Sequence, residues 1–161
     1  MTADPSLLTV DGHDETAAGL GPIERWCDVA RRTLEDEGVA GGTLDLIFVD
    51  PEPMAKLNRE HLGSDRPTDV LAFPLDGPDR SSPGPGDPPA HLGDIVVCPS
   101  VAAAQAPEHC GDPEAELTLL IVHGVLHVLG HDHAEPSDTA AMQARERHHL
   151  ARYGYRHPVP V

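Results

Sequence analysis

The stretch Leu117-Thr118-Leu119-Leu120-Ile121-Val122-His123-Gly124-Val125-Leu126-His127-Val128-Leu129, continued by Gly130-His131-Asp132-His133, decides the fold. Between residues 117 and 129 the only polar side chains are Thr118, His123 and His127. Leu117, Ile121, Val125 and Val128 recur at helical spacing, and Leu119, Val122 and Leu126 cover much of the remaining surface. A helix that is apolar on nearly every side belongs in the middle of a domain. Asp112-Pro113 supplies a cap and a first helical residue for it, and Gly130 suits a left-handed stop. His123 and His127 are four residues apart, so both imidazoles leave the helix from one face. Buried ring nitrogens need partners, and a shared metal ion supplies them. The turn at Gly130 can bring His133 back toward the pair. Three imidazoles with a fourth position open form the donor set of a catalytic zinc site, with Zn–N near ~2.0–2.1 Å. The expectation is one zinc per chain on His123, His127 and His133. Asp132 either orients a ligand histidine or caps the turn. His131 reads as an exposed turn residue. His13, His61, His91, His109, His148, His149 and His157 have no ligand spacing and read mostly as surface residues.

Outward from this helix the pattern alternates short strands with helices. Leu7, Leu8 and Val10 suggest an edge strand after a loose start over 1–6. Pro22 opens a helix with Ile23, Trp26, Cys27, Ala30 and Leu34 on one face, stopped at Gly38. Residues 44–49 read as a strand, Asp50-Pro51 as the start of a helix ending near Leu62-Gly63, and 70–73 as another strand. Residues 76–91 hold five prolines and three glycines without apolar periodicity and read as a mobile loop, not a domain linker. A strand over 95–98, a short helix over 99–106 and a last helix over 137–152 complete one domain spanning 1–161. The fold class is α+β: a small mixed sheet covered by helices, with the H-x-x-x-H on a central buried helix.

Composition narrows the function. No run approaches the ~20 apolar residues of a membrane span, and the first ten residues lack the pattern of a signal peptide. A cytoplasmic protein without membrane partners is expected. Cys27, Cys98 and Cys110 are too far apart for a C-x-x-C pair and read as reduced thiols. The net charge of −16, with 11 basic residues, opposes an electrostatic grip on nucleic acid, and no DNA partner is expected.

Histidines at +4 and +10 with glycine at +7 also occur in the H-E-x-x-H-x-x-G-x-x-H signature of metzincin proteases, where the glutamate is the general base. Here that position is Gly124, which ranks peptidase chemistry low. The block from His123 to His133 instead resembles H-G-x-L-H-L-x-G-Y-D-H of the YbeY family, with Val128 and His131 as departures. Leu57-Asn58, then Pro67-Thr68-Asp69-Val70-Leu71-Ala72-Phe73-Pro74, and Leu92-Gly93-Asp94-Ile95-Val96-Val97 with Gln105-Ala106, match two further blocks in the same order. The resemblance implies a single-strand-specific zinc endoribonuclease acting in ribosomal RNA maturation and ribosome quality control. Its partners would be precursor rRNA and ribosomal or small-subunit proteins. The nucleophile on the phosphodiester would be an activated water or the ribose 2′-OH. Many members of that family carry an arginine four residues after the matching asparagine, and here that position is Leu62. Arg59 and Arg66 flank it and are the candidate catalytic cations. Two other readings stand beside this one: a ribosome-assembly factor with weak or no catalysis, and a zinc hydrolase of metallopeptidase type. Thr68, Asp69 and Asp94 read as turn formers, and Glu116 as an acidic residue favoured by the helix dipole.

Overall fold

Alternation along the strands sets the layers. In β2 (Gly42–Phe48) Leu44, Leu46 and Phe48 are buried, while Thr43, Asp45 and Ile47 on the other face are half-buried. The computed structural model describes residues 8–17, 22–63, 68–75, 90–131 and 135–159. β1 (Leu8–Asp14) runs parallel to β2, β2 runs parallel to β4 (His91–Val97), and β3 (Val70–Pro74) closes the sheet antiparallel to β4. The order β1-β2-β4-β3 makes β1 and β3 the edges, so the fold is α+β with a mixed sheet, as expected.

One face of the sheet packs on α1 (Ile23–Asp36) and α4 (Pro113–Val128), and α5 (Pro136–Ala151) lies against α4. This side holds the main core, with Leu34, Leu44, Leu46, Ile95, Ile121, Val125 and Leu126 fully buried. Each such side chain contributes about 1.5–3 kcal/mol of transfer free energy. The other face is covered by α2 (Pro51–Leu62) through Met54 and Leu57, and by Val101 of α3 (Pro99–Gln105), over Val96 and Phe73. No helix among the described residues is long and apolar enough to cross a membrane.

The loop assigned to 76–91 ends earlier than its composition suggests. Ala90 is buried, and its carbonyl accepts the Thr43 N–H at 2.8 Å. His91 already pairs with Thr43, so β4 begins four residues before the apolar run. Residues 76–89, the loose start over 1–6, Arg66 and the stretch Asp132 to Ala134 lie outside the described residues.

Candidate metal centre and its cleft

Capping sets where α4 begins and ends. The Asp112 carboxylate accepts the Glu114 N–H at 3.2 Å and Pro113 takes the first helical position. At the other end Gly130 has φ +99, a backbone region that side chains resist. The N–H of His131 reaches the Leu126 carbonyl at 2.9 Å and the Gly130 N–H reaches the His127 carbonyl at 3.0 Å. These two bonds form a Schellman stop one turn after the second histidine.

The rings of His123 and His127 lie 4.6 Å apart between centroids, at 76° to one another. They open onto a cleft of about 410 Å³. Its walls are Leu62 at the end of α2, Asp69 to Phe73 along the edge strand β3, and His123, Gly124 and His127 of α4. Gly124 is glycine for a packing reason. A Cβ there would sit 2.8 Å from Cγ2 of Ile95, a stiff core side chain. The position of the protease base therefore has no room for a side chain, and the metallopeptidase reading loses its geometry as well as its residue.

Behind His123 stands Glu146 of α5, which is buried. Its Oε2 lies 2.6 Å from His123 Nδ1 and its Oε1 lies 2.7 Å from His157 Nε2. Burial pushes this carboxyl up, but hydrogen bonds from His123 and His157 hold it below the usual carboxylate range. The donor set fits a divalent transition ion: two imidazoles one helical turn apart, one of them backed by a carboxylate in the manner of metal-ligating histidines. The third expected ligand, His133, lies outside the described residues.

A second cavity of about 240 Å³ shares Asp69, Val70 and His123 with the cleft and extends to His109, Gln143 and His157. Asp69 starts β3 as expected, its carboxylate accepting the Val70 N–H at 2.7 Å. It is also a cleft-wall residue, fixed by Gln105 at 2.8 Å. Gln105 donates in turn to Glu116 at 2.9 Å. Glu116 does more than meet the helix dipole. It is fully buried and also bonds His109 Nδ1 at 2.7 Å and the Cys110 N–H at 3.2 Å, tying the chain after α3 to α4.

Among the other sequence candidates, Leu62 is 67% exposed at the cleft lip. Arg59 is exposed on α2 and borders a separate groove with Glu52, Pro53 and Lys56. His131 is half-buried, 3.8 Å from Glu37, not fully exposed. His149 and His157 are not surface residues. His149 is fully buried against Glu37 at 2.6 Å, and the His157 side chain is enclosed against Glu146. Asp94 sits within β4 and bonds His91 Nε2 at 2.8 Å.

Asp45, His91 and Asp94, then Asp36, His148 and His149, and then His109, Cys110 and Glu116 also gather ligand-type atoms, within 4.8 Å in each group. Internal ion pairs and hydrogen bonds account for them. Burial and the neighbouring Glu116 push the Cys110 thiol up to about 12, so it stays a protonated, poor ligand at neutral pH.

A family model described as Endoribonuclease YbeY matches residues 18–154. An Endoribonuclease YbeY of Salinispora tropica is 48% identical over 130 residues, covering 76% of this chain and 82% of that protein. One from Halorhodospira halophila is 43% identical over 120 residues, covering 73% of this chain and 75% of that protein. The solution structure of TM1509 from Thermotoga maritima matches with a TM-score of 0.59 at 26% identity, over 88% of this chain and 86% of that one. The matched span takes in His123, His127, His133 and Glu146 and ends before His157. By the extent of that match, from before α1 to beyond α5, the chain belongs to the Endoribonuclease YbeY family.

Proposed function

We propose that this chain is a zinc-dependent endoribonuclease that cleaves single-stranded RNA during ribosomal RNA maturation, working as one domain over residues 1–161. The observation that carries the reading is the paired face of His123 and His127 on the buried helix α4, open to a cleft and backed by Glu146. His123, His127 and His133 would hold one zinc ion through three neutral nitrogens. When bound, zinc supplies Lewis acidity, bringing the pKa of a water to ~7 and stabilising charge on a phosphoryl oxygen.

The residues of the chain position the substrate and exclude water. Val70, Leu71 and Phe73 line the cleft with apolar surface. The open edge of β3 and the lip at Leu62 receive a flexible strand more readily than a duplex, whose bases are stacked away. Arg59 and Arg66 are the candidate cations for the RNA backbone. Electrostatics at −16 cannot supply the affinity alone, so ribosomal or small-subunit proteins would deliver the RNA.

Zinc content and cleavage of single-stranded RNA, including ribosomal precursor, test this reading against a His127→Ala control. One zinc per wild-type chain with cleavage, and neither in the variant, is the expected result. Cleavage at the normal rate by His127→Ala would sink it. One zinc without cleavage of any RNA would favour the assembly-factor reading. That alternative draws on one observation: an apolar Leu62 stands at the lip where an arginine would meet phosphate.

A further inference from the structure

Three hydrogen bonds locate the protons on two imidazoles. The Val159 N–H reaches His157 Nδ1 at 3.1 Å, so that nitrogen is an acceptor and neutral His157 carries its proton on Nε2. This Nε2–H donates to Glu146 Oε1 at 2.7 Å. The other carboxylate oxygen lies 2.6 Å from His123 Nδ1. An ionised carboxylate only accepts, so His123 Nδ1 bears a proton and the lone pair of the neutral ring sits on Nε2. Glu146 is 5% exposed and the His157 side chain likewise, so water competes little for these bonds.

We infer that Glu146 is a positioning residue: held from behind by His157, it fixes His123 as the Nδ1–H tautomer and leaves Nε2 as the nitrogen that can ligate a divalent transition ion. The ligand role of His123 rests on the zinc reading above, whereas the tautomer does not. The support reaches Glu146 from beyond α5. Arg147 donates to the Val159 carbonyl at 2.9 Å, pinning the segment that carries His157. That segment lies past the span matched by the family model.

Glu146→Gln separates this role from simple packing. A carboxylate offers two acceptor oxygens to two N–H donors, and an amide offers one acceptor and one donor. One imidazole must then give up its proton at that nitrogen, and His157 is held in its tautomer by Val159. His123 is therefore driven toward the Nε2–H form, which cannot ligate.

The test begins with metal-free, 15N-labelled protein, in which long-range 1H–15N correlations report each ring nitrogen. His123 is expected as Nδ1–H in the wild type and shifted toward Nε2–H in Glu146→Gln. Zinc affinity, measured by competition with a chromophoric chelator, is expected to fall roughly 10- to 100-fold in that variant. A smaller loss is expected in His157→Ala, which leaves the Glu146 carboxylate in place. An Nε2–H His123 in the wild type would overturn the inference, as would a Glu146→Gln protein with unchanged ring shifts and unchanged zinc affinity. The wild-type spectrum decides the matter even if the variant does not fold. A wild type with Nδ1–H His123 that takes up no zinc would remove the zinc reading and leave the positioning role standing.

Discussion

On the inner face of α5, Glu146 is buried between His123 and His157, and His149 is buried against Glu37. On the outer face of the sheet, His91 lies 2.8 Å from Asp94 and 3.8 Å from Asp45, with all three side chains about a third exposed. Both regions pair imidazoles with carboxylates, and each holds at least one such pair at hydrogen-bond distance. What differs is solvent. Water screens the outer cluster and can replace any partner it loses. On α5 the Glu146 carboxylate and the His149 ring are nearly closed to water, so a lost partner leaves a buried polar group unmet. A search for histidines beside carboxylates would rank the two regions together. Burial separates a positioning device from a surface ion pair.

The difference is open to direct attack. Glu146→Ala leaves two imidazole N–H donors without their acceptor and is expected to destabilise the fold by about 2–4 kcal/mol in urea unfolding; a cost near zero would erase the contrast. Acid should reach the inner face in two phases. Burial pushes the pKa of His149 down, against the raising effect of Glu37, so its folded value lies below the ordinary 6.5. The unfolded chain then binds more protons, and stability falls as pH drops through about 6.5 toward the folded value. Burial would raise the Glu37 carboxyl, yet Arg145 and His149 hold it below its ordinary 4.5, so a second loss begins as pH falls below about 4.5. Thermal midpoints between pH 7.5 and 4 are expected to lose the upper phase in His149→Gln. The smallest effect belongs to the outer face, where His91→Ala should change unfolding free energy by no more than ~0.5 kcal/mol. A cost above 2 kcal/mol there would show that exposure does not divide the two regions.

Much of this was legible in the chain. α4 is apolar on nearly all sides, and its caps, Asp112-Pro113 and Gly130, stand where the helix begins and ends. The start of β4 was hidden because His91 and Asp94 face the half-exposed side of the sheet, so the apolar run begins only at Ile95. Glu146 carries a periodic signal in the sequence. Met142, Glu146 and Leu150 are spaced by four along α5, which places a carboxylate between two buried apolar residues. His157 had none. It follows the end of α5 without periodicity, and only three-dimensional packing brings it to Glu146.

The contact between Gly124 and Ile95 also constrains how this cleft can diversify. A glutamate at 124 needs Ile95 cut back first, and removing a buried isoleucine from a central strand costs about 2–5 kcal/mol before anything is gained. A single substitution at either position therefore lowers stability before any new chemistry is possible. Leu62, exposed at the lip, carries no such toll. Substitution is therefore cheaper at the exposed lip than on the floor beside Ile95, so the surface a bound molecule meets can change there without loss of the core.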